Sequence, residues 1–380
     1  MNRLTLCAGA LALSAVLTGC GEGEDENAEL VACAREAAAA AGYTSEEGGE
    51  LHIYSWADYF EPEVITAFEQ ALGVTVVIDS FESNEAMYAK LKAGGAGYDL
   101  ITPSSYLIPL MAKEGMIDPI DHARCPNVRK NFDPSFASQI LDSSLTYNVP
   151  YAVSYTGLMY AKDKIPEGAD IHSWTILGNP ALKGRISLLD DMREVIGAGL
   201  MYRGYSINST NAAEIAEAVD QILAWRENVR KFDAESYRTE VPNGMIWVGH
   251  GYSQDSAQAI VGDEETGAVA RTDLGFALPK EGFAIACDEL VVAAAAKRKD
   301  LAYTFINYLY ESEPAKLNMA FFSGPCPVKP GIDTLDPDLR ELIILDSETL
   351  EKGQTLRNLD DQPEVMDLYN DAWDKIRAVK

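Results

Sequence analysis

LHIYSWADYFEPEVITAFEQALGVTVVIDSFESNEAMYAKLKAGGAGYDLITP, residues 51–103, decides the fold. Leu51-His52-Ile53-Tyr54 reads as a short strand. Pro62 then stands where a first helical turn tolerates proline, and Gly73 where helices stop. Between them Val64, Ile65, Phe68 and Leu72 share one helical face. Val74 to Ile78 is β-branched and reads as a strand. Ser83 can cap a helix through Ala93, ended by Gly94-Gly95. Tyr98 to Thr102 is a third strand, stopped by Pro103. The order β-α-β-α-β predicts a parallel α/β sheet.

A second α/β region follows. Strands are predicted at Leu158–Tyr160, Arg185–Leu189, Met245–Val248, Phe276–Leu278 and Leu290–Ala294. Helices are predicted at Asn211–Val229, Asp300–Tyr310 and Glu364–Val379. The chain has 380 residues, which at about 150 residues per domain suits two domains with extensions. A hydrophobic fraction of 47% supports a real core. Against 31 Lys and Arg stand 59 Asp and Glu, a formal net charge of −28. Such a surface repels nucleic acid and anionic membranes and attracts cations.

The N-terminus carries a targeting signal. A basic start at Arg3 precedes an apolar run, Leu4 to Leu17, shorter than the roughly 20 residues a spanning helix needs. That pattern is a secretory signal peptide over residues 1–19. Its end, Leu17-Thr18-Gly19-Cys20, resembles the bacterial lipobox, which implies lipid on Cys20. The acidic Gly/Glu stretch after it reads as a solvated tether, and Glu29 to Gly42 as helix-compatible. The mature chain then keeps Cys33, Cys125, Cys287 and Cys326, enough for two disulfides in three connectivities.

Catalytic motifs are missing. None of the four histidines has metal-ligand spacing, and there is no G-x-S-x-G elbow, P-loop or dinucleotide fingerprint. No enzyme activity, cofactor or metal is expected. Binding loops are better represented, because ligands of open α/β sheets bind beyond the carboxyl ends of strands. Ser55-Trp56-Ala57-Asp58-Tyr59 offers two rings flanking a carboxylate, suited to a cation on an apolar stem. Ser104-Ser105-Tyr106 and Asp190-Asp191-Met192-Arg193-Glu194 also follow strands. Trp247 lies in the predicted Met245–Val248 strand, where a core tryptophan is the competing reading.

These segments, with Ser83-Asn84-Glu85-Ala86-Met87-Tyr88, Tyr98-Asp99-Leu100, Lys113-Glu114-Gly115-Met116-Ile117, Gly244-Met245-Ile246-Trp247 and Pro279-Lys280-Glu281-Gly282, resemble the spermidine/putrescine-binding proteins of bacterial ABC transporters. The resemblance covers about residues 50–380. It implies an α/β, two-lobed periplasmic-binding-protein fold of type II, with a ligand cleft at a hinge. It implies lobe 1 from residues 50–150 plus 290–325 and lobe 2 from 151–289 plus 326–380, after a tether and N-terminal extension over 20–49. Carried over residue by residue, Trp56 and Tyr59 would wall the polyamine chain beside Asp58, with Ser104, Tyr106 and Trp247 contributing further contacts. Asp191, Glu194 and Asp288 would hold the ammonium groups. Cys287 and Cys326 would fall on adjacent cleft stretches and pair, leaving Cys33 with Cys125.

The family often has aromatics where this chain has Ala286 and Gly324, and Arg357 stands near a family polar ligand. These departures favour an alternative, the same fold holding an amino acid or amino-sugar. The implied protein is a monomer, periplasmic or at the cell surface, tied to the membrane by lipid. It would deliver its solute to an ABC permease in the inner membrane.

Overall fold

Residues 51–103 fold in the alternating order that their periodicity predicts. β1 (Gly49–Ser55) pairs in parallel with β2 (Val74–Ser80), Leu51 opposite Val76, and with β3 (Leu100–Ile101), Ile53 opposite Leu100. The Pro62–Leu72 helix buries Val64, Ala67, Phe68 and Leu72 along one face. It ends at Gly73, whose φ of 66° is left-handed and whose N–H bonds to the Glu69 carbonyl. Fully burying a side chain such as Val64, Phe68 or Leu72 contributes about 1.5–3 kcal/mol. The computed structural model describes residues 22–44, 48–95, 97–262, 269–359 and 362–378. The signal peptide and Cys20 lie outside them.

Two long strands organise the rest. β4 (Val149–Ala161) is followed by β5 (Ile186–Leu188), β6 (Val229–Phe232), β7 (Val248–Tyr252), β8 (Leu274–Ala277), β9 (Phe283–Val292) and β10 (Gly353–Thr355). β4 and β9 run antiparallel from Val149–Leu290 to Tyr155–Ile285. The far half of β4 then pairs with β7 and β8, and the far end of β9 pairs with β3. The strand order is β2-β1-β3-β9-β4-β7-β5-β6. One apolar cluster holds Leu51, Phe68, Tyr155 and Phe305, and a second holds Leu158, Ile186, Val248 and Ile376. β4 thus passes from one core to the other between Tyr155 and Leu158. The protein has the mixed α/β, two-lobed architecture of periplasmic binding proteins.

The packing departs from the expected lobe limits. Cys326, Val328, Ile332, Leu335, Leu339 and Ile343 bury in the first cluster, not the second. Leu339 and Ile343 lie four apart on one helical face, and that face packs into the first core. The chain rejoins the second core only near Leu356 and Leu359.

The N-terminal extension forms the helix expected over Glu29–Gly42 and begins it earlier. From Glu22 the chain is helical, through Ala41, instead of a solvated tether. Leu30, Ala34, Ala37 and Ala38 bury in the first core. Asn307 Nδ2 donates to the Ala37 carbonyl at 3.1 Å. Alanine favours helix and lets a neighbouring helix approach closely, which is why this stretch docks. Among the described residues no helix is long and apolar enough to cross a membrane.

The expected disulfides are not formed: Cys33, Cys125, Cys287 and Cys326 are all free thiols. Cys125 Sγ turns to the Asp121 carbonyl at 3.5 Å, and Cys287 Sγ to the Asp288 carbonyl at 3.7 Å. Cys33 faces the carboxylates of Glu311 and Glu29; burial first, then those charges, push its thiol up to about 11.

Candidate ligand-binding site

Asp288 lies on β9 opposite Ala152 of β4 and bridges to Ser104, on the first-lobe side of the crossing. Alternation along the strand sends Glu289 the opposite way, where it is fully buried and accepts the Ser105 hydroxyl. Asp288 Oδ1 accepts from Ser104 Oγ at 2.5 Å, and Oδ2 accepts from the Tyr59 hydroxyl. Asn84 Nδ2 donates to both Ser104 Oγ and Tyr106 Oη at 2.9 Å, and Asn84 Oδ1 accepts from the Ser104 N–H. Burial raises the Asp288 pKa, while Ser104, Tyr59 and Trp56 pull it back by stabilising the carboxylate. The Trp56 indole N–H is buried near this carboxylate but short of hydrogen-bond geometry, and has no partner. Asp58 is exposed, at a left-handed φ of 53°, and takes no part in the network. Its turn brings Trp56 and Tyr59 to one acid.

The opposing lobe supplies two more acids. Asp191 caps the Met192–Tyr202 helix, accepting from the Arg193 and Glu194 N–H groups at 2.8 and 3.0 Å. Glu194 is 4% exposed and accepts from Thr156 Oγ1 at 3.1 Å. Burial, then the Asp191 charge, push its pKa up to about 8. Arg193 points away, donating to the Arg357 carbonyl and Asn208 Oδ1 and lying over the Tyr369 ring.

The two sides meet at Tyr252 and Tyr106. Burial drives the Tyr252 phenol well above its ordinary pKa, followed by the charges of Asp191, Glu194, Asp255 and Asp288. Burial, then Glu85, and further on Asp191, do the same to Tyr106. Tyr106 belongs to the first lobe and Asp191 to the second. Of the residues expected from sequence, the structure gathers Trp56, Tyr59, Ser104, Tyr106, Asp191, Glu194 and Asp288.

Trp247 is not among them. Its N–H bonds to the Arg185 carbonyl, and the Arg185 guanidinium lies 4.9 Å from its ring centroid. Arg185 precedes β5 and Asp191 follows it, so the two mark opposite ends of the lobe. Extended chain of that length spans on the order of 15–20 Å. Tyr252 takes the place that sequence assigns to Trp247. The predicted strand at 245–248 falls about four residues early, since Met245-Ile246-Trp247-Val248 is more apolar than Val248-Gly249-His250-Gly251-Tyr252. The two glycines are structural. A Cβ on Gly251 would stand 2.2 Å from the Tyr237 ring, which lies against the strand. An aromatic at the carboxyl end of a strand was the available signal for Tyr252.

The two departures from family pattern have local explanations. Ala286 shares the face of Asp288 on β9 and is partly exposed. Gln254 covers Gly324, where a Cβ would lie 2.6 Å from Gln254 Cγ. Arg357 is exposed, and its backbone N–H donates to Asn208. Hollows of about 470 Å³ beside Trp225 and about 250 Å³ beside Tyr98 include none of the gathered residues. Among the described residues no cluster of His, Cys, Asp or Glu could hold a metal ion.

Two α/β lobes joined by crossing strands, with acids and rings from both sides between them, define a hinged solute-binding protein. The chain belongs to the bacterial extracellular solute-binding proteins, matching that family over residues 63–341. It is 31% identical over 356 residues to the putrescine/cadaverine-binding protein of Pseudomonas aeruginosa, covering 92% of this chain and 99% of the relative. It is 35% identical over 284 residues to the putrescine-binding periplasmic protein PotF of Escherichia coli, covering 72% and 76%. The spermidine/putrescine substrate-binding protein PotD of Streptococcus pneumoniae superposes with a TM-score of 0.77 at 28% identity, covering 87% of this chain and 100% of that one. The TpPotD lipoprotein of Treponema pallidum superposes at 0.74 and 28% identity, covering 86% and 99%.

Proposed function

We propose that this protein captures a polyamine between its lobes and delivers it to an ABC permease. One observation carries the reading. Asp191, Glu194 and Asp288, from both sides of the hinge, surround Tyr252, and none of the ion pairs among the described residues involves them. Acids without cations call for a cationic ligand, and ammonium–carboxylate hydrogen bonds are strong ones. Trp56, Tyr59, Tyr106 and Tyr252 supply apolar faces for methylenes and cation–π attraction of about 0.5–2 kcal/mol per contact. The net charge of −28 steers cations toward the protein. The site residues act in binding, without catalysis, cofactor or metal.

The test is a titration of the intact protein with putrescine, spermidine, spermine, amino acids and amino-sugars, followed by calorimetry and tryptophan fluorescence. Polyamines should give a saturable change, with Trp56 as the reporter. Saturation by an amino acid or amino-sugar alone would leave the cleft but replace the ligand class, as the small Ala286 and Gly324 would favour.

We further propose that the protein works as a monomer outside the cytoplasm, held to the membrane by lipid on Cys20. Lipid would be the main membrane affinity, since no described helix can span the bilayer. Cys20→Ser should move the protein from the membrane to the soluble fraction on cell fractionation. A mutant still retained by membranes after a salt wash would contradict the lipid anchor.

A further inference from the structure

Glu194 sits in the first turn of the Met192–Tyr202 helix, almost wholly withdrawn from solvent. Among the described residues its carboxyl takes a hydrogen bond from the Thr156 hydroxyl on β4. Its own helix brings Asp191, fixed three residues away by two backbone N–H groups, and Arg193. From β7 Tyr252 faces it, and that phenol also feels Asp255 and, from β9, Asp288. Among the described residues Arg193 is the only cation that acts on Glu194, and its two terminal nitrogens donate to the Arg357 carbonyl and Asn208 while the guanidinium lies over the Tyr369 face. A carboxyl in such a place has acids around it, one neutral donor and little water. Both burial and a neighbouring like charge disfavour ionisation.

We propose that ligand capture here is a cation–proton exchange, in which an ammonium group arriving beside Glu194 expels the proton of its carboxyl to solvent. The proposal rests on the polyamine reading of the site. The Glu194 O–H bond breaks heterolytically, the electron pair stays on the carboxylate oxygen, and the proton leaves to water or buffer. The ammonium then pairs with the carboxylate, and the charge in the cleft is unchanged by the exchange.

The neighbouring acids set the contrast. Asp288 accepts two hydroxyl hydrogens, which favour its charged form against the effect of burial. Glu289 is as deeply buried as Glu194, and burial pushes it to about 8 as well. Its carboxyl faces Ser105 and Asn148 on the other side of β9, so a ligand in the cleft leaves its proton in place.

The sign of the pH dependence follows. Burial, then the Asp191 charge, push the Glu194 pKa up to about 8, and beside an ammonium group it falls. The complex therefore binds fewer protons than the free protein below that value, so affinity rises with pH. With one proton exchanged, the Kd should tighten roughly tenfold per pH unit from pH 6 toward pH 7.5 and level off above about pH 8.

Calorimetry of the intact protein with putrescine, in buffers of different ionisation enthalpy at pH 7, counts the protons released. About one per ligand is expected, falling toward zero by pH 9. Glu194→Gln should abolish the release and flatten the Kd between pH 6 and 8, whereas Glu289→Gln should release as the wild type does. If Glu194→Gln binds too weakly to measure, the wild-type infrared difference spectrum decides. Loss of a protonated-carboxyl C=O band on adding putrescine supports the exchange, and no such loss overturns it. Putrescine binding without proton release, or release that survives in Glu194→Gln, also overturns it. No saturable signal from putrescine, spermidine or spermine removes the polyamine reading itself and the exchange with it.

Discussion

Asp288→Asn should weaken putrescine binding by at least about thirtyfold. Asp288 is the acid that Tyr59 and Ser104 hold in place from the first lobe. In the closed complex an ammonium ion beside it is desolvated, and removing one partner of such a pair typically costs about 2–5 kcal/mol. At about 1.4 kcal/mol per tenfold, the lower bound corresponds to roughly thirtyfold. Asparagine preserves the volume but has a single acceptor oxygen, so one of the two hydroxyls loses its bond. Calorimetry gives the affinity, and a thermal melt on the same sample separates lost binding from lost folding. A folded variant with wild-type affinity would place the ammonium groups elsewhere.

A second pair of substitutions locates the aromatic wall of the second lobe. Tyr252→Ala should cost about 2 kcal/mol or more of binding, the scale of an aromatic anchor at the centre of an interface. Trp247→Ala should leave the Kd within about threefold, because its ring packs against the second core and under Arg185 at the far end of β5. Its loss should instead lower the melting temperature, through roughly 1–3 kcal/mol of packing and cation–π attraction. The reverse pattern, with Trp247→Ala abolishing binding and Tyr252→Ala silent, would put the site at the other end of the strands.

These two outcomes depend on different kinds of information. The elements of residues 51–103 are legible because each rests on chemistry a few residues wide. Pro62 opens a helix, Gly73 closes it with a left-handed turn, and Ser83 accepts from the Ala86 N–H to start the next. Apolar spacing within the segment says which face is buried. Asp191 is legible for the same reason, since a helix N-cap and a site acid coincide at one position after a strand.

β9 shows where local pattern stops. Its start and middle do not read as strand, because Cys287-Asp288-Glu289 interrupts the apolar run and only Leu290 onward carries the pattern. Two adjacent acids are tolerated there because their faces differ. Asp288 meets hydroxyls from residues 59 and 104, and Glu289 meets the hydroxyl of Ser105. Likewise β7 is set by Tyr237 packing on Gly249 and Gly251, which no strand propensity anticipates. The end of that strand, and with it the choice of Tyr252 over Trp247, follows from this contact.

By itself, the sequence determined the α/β class and the strand-end loops that carry Trp56, Tyr59, Ser104, Tyr106, Asp191 and Glu194, because periodicity, capping and strand-end position are properties of neighbouring residues, whereas Asp288 is reached only through the family resemblance. Tertiary structure decided the remainder: free cysteines instead of disulfides, the docking of the N-terminal helix on the first core, residues 326–345 packed with the first lobe, and the burial that raises the Glu194 pKa. Each of these turns on which distant groups come into contact. The cost of burying a thiol, an alanine face or a carboxyl depends on partners brought from far along the chain, and local pattern carries no record of them.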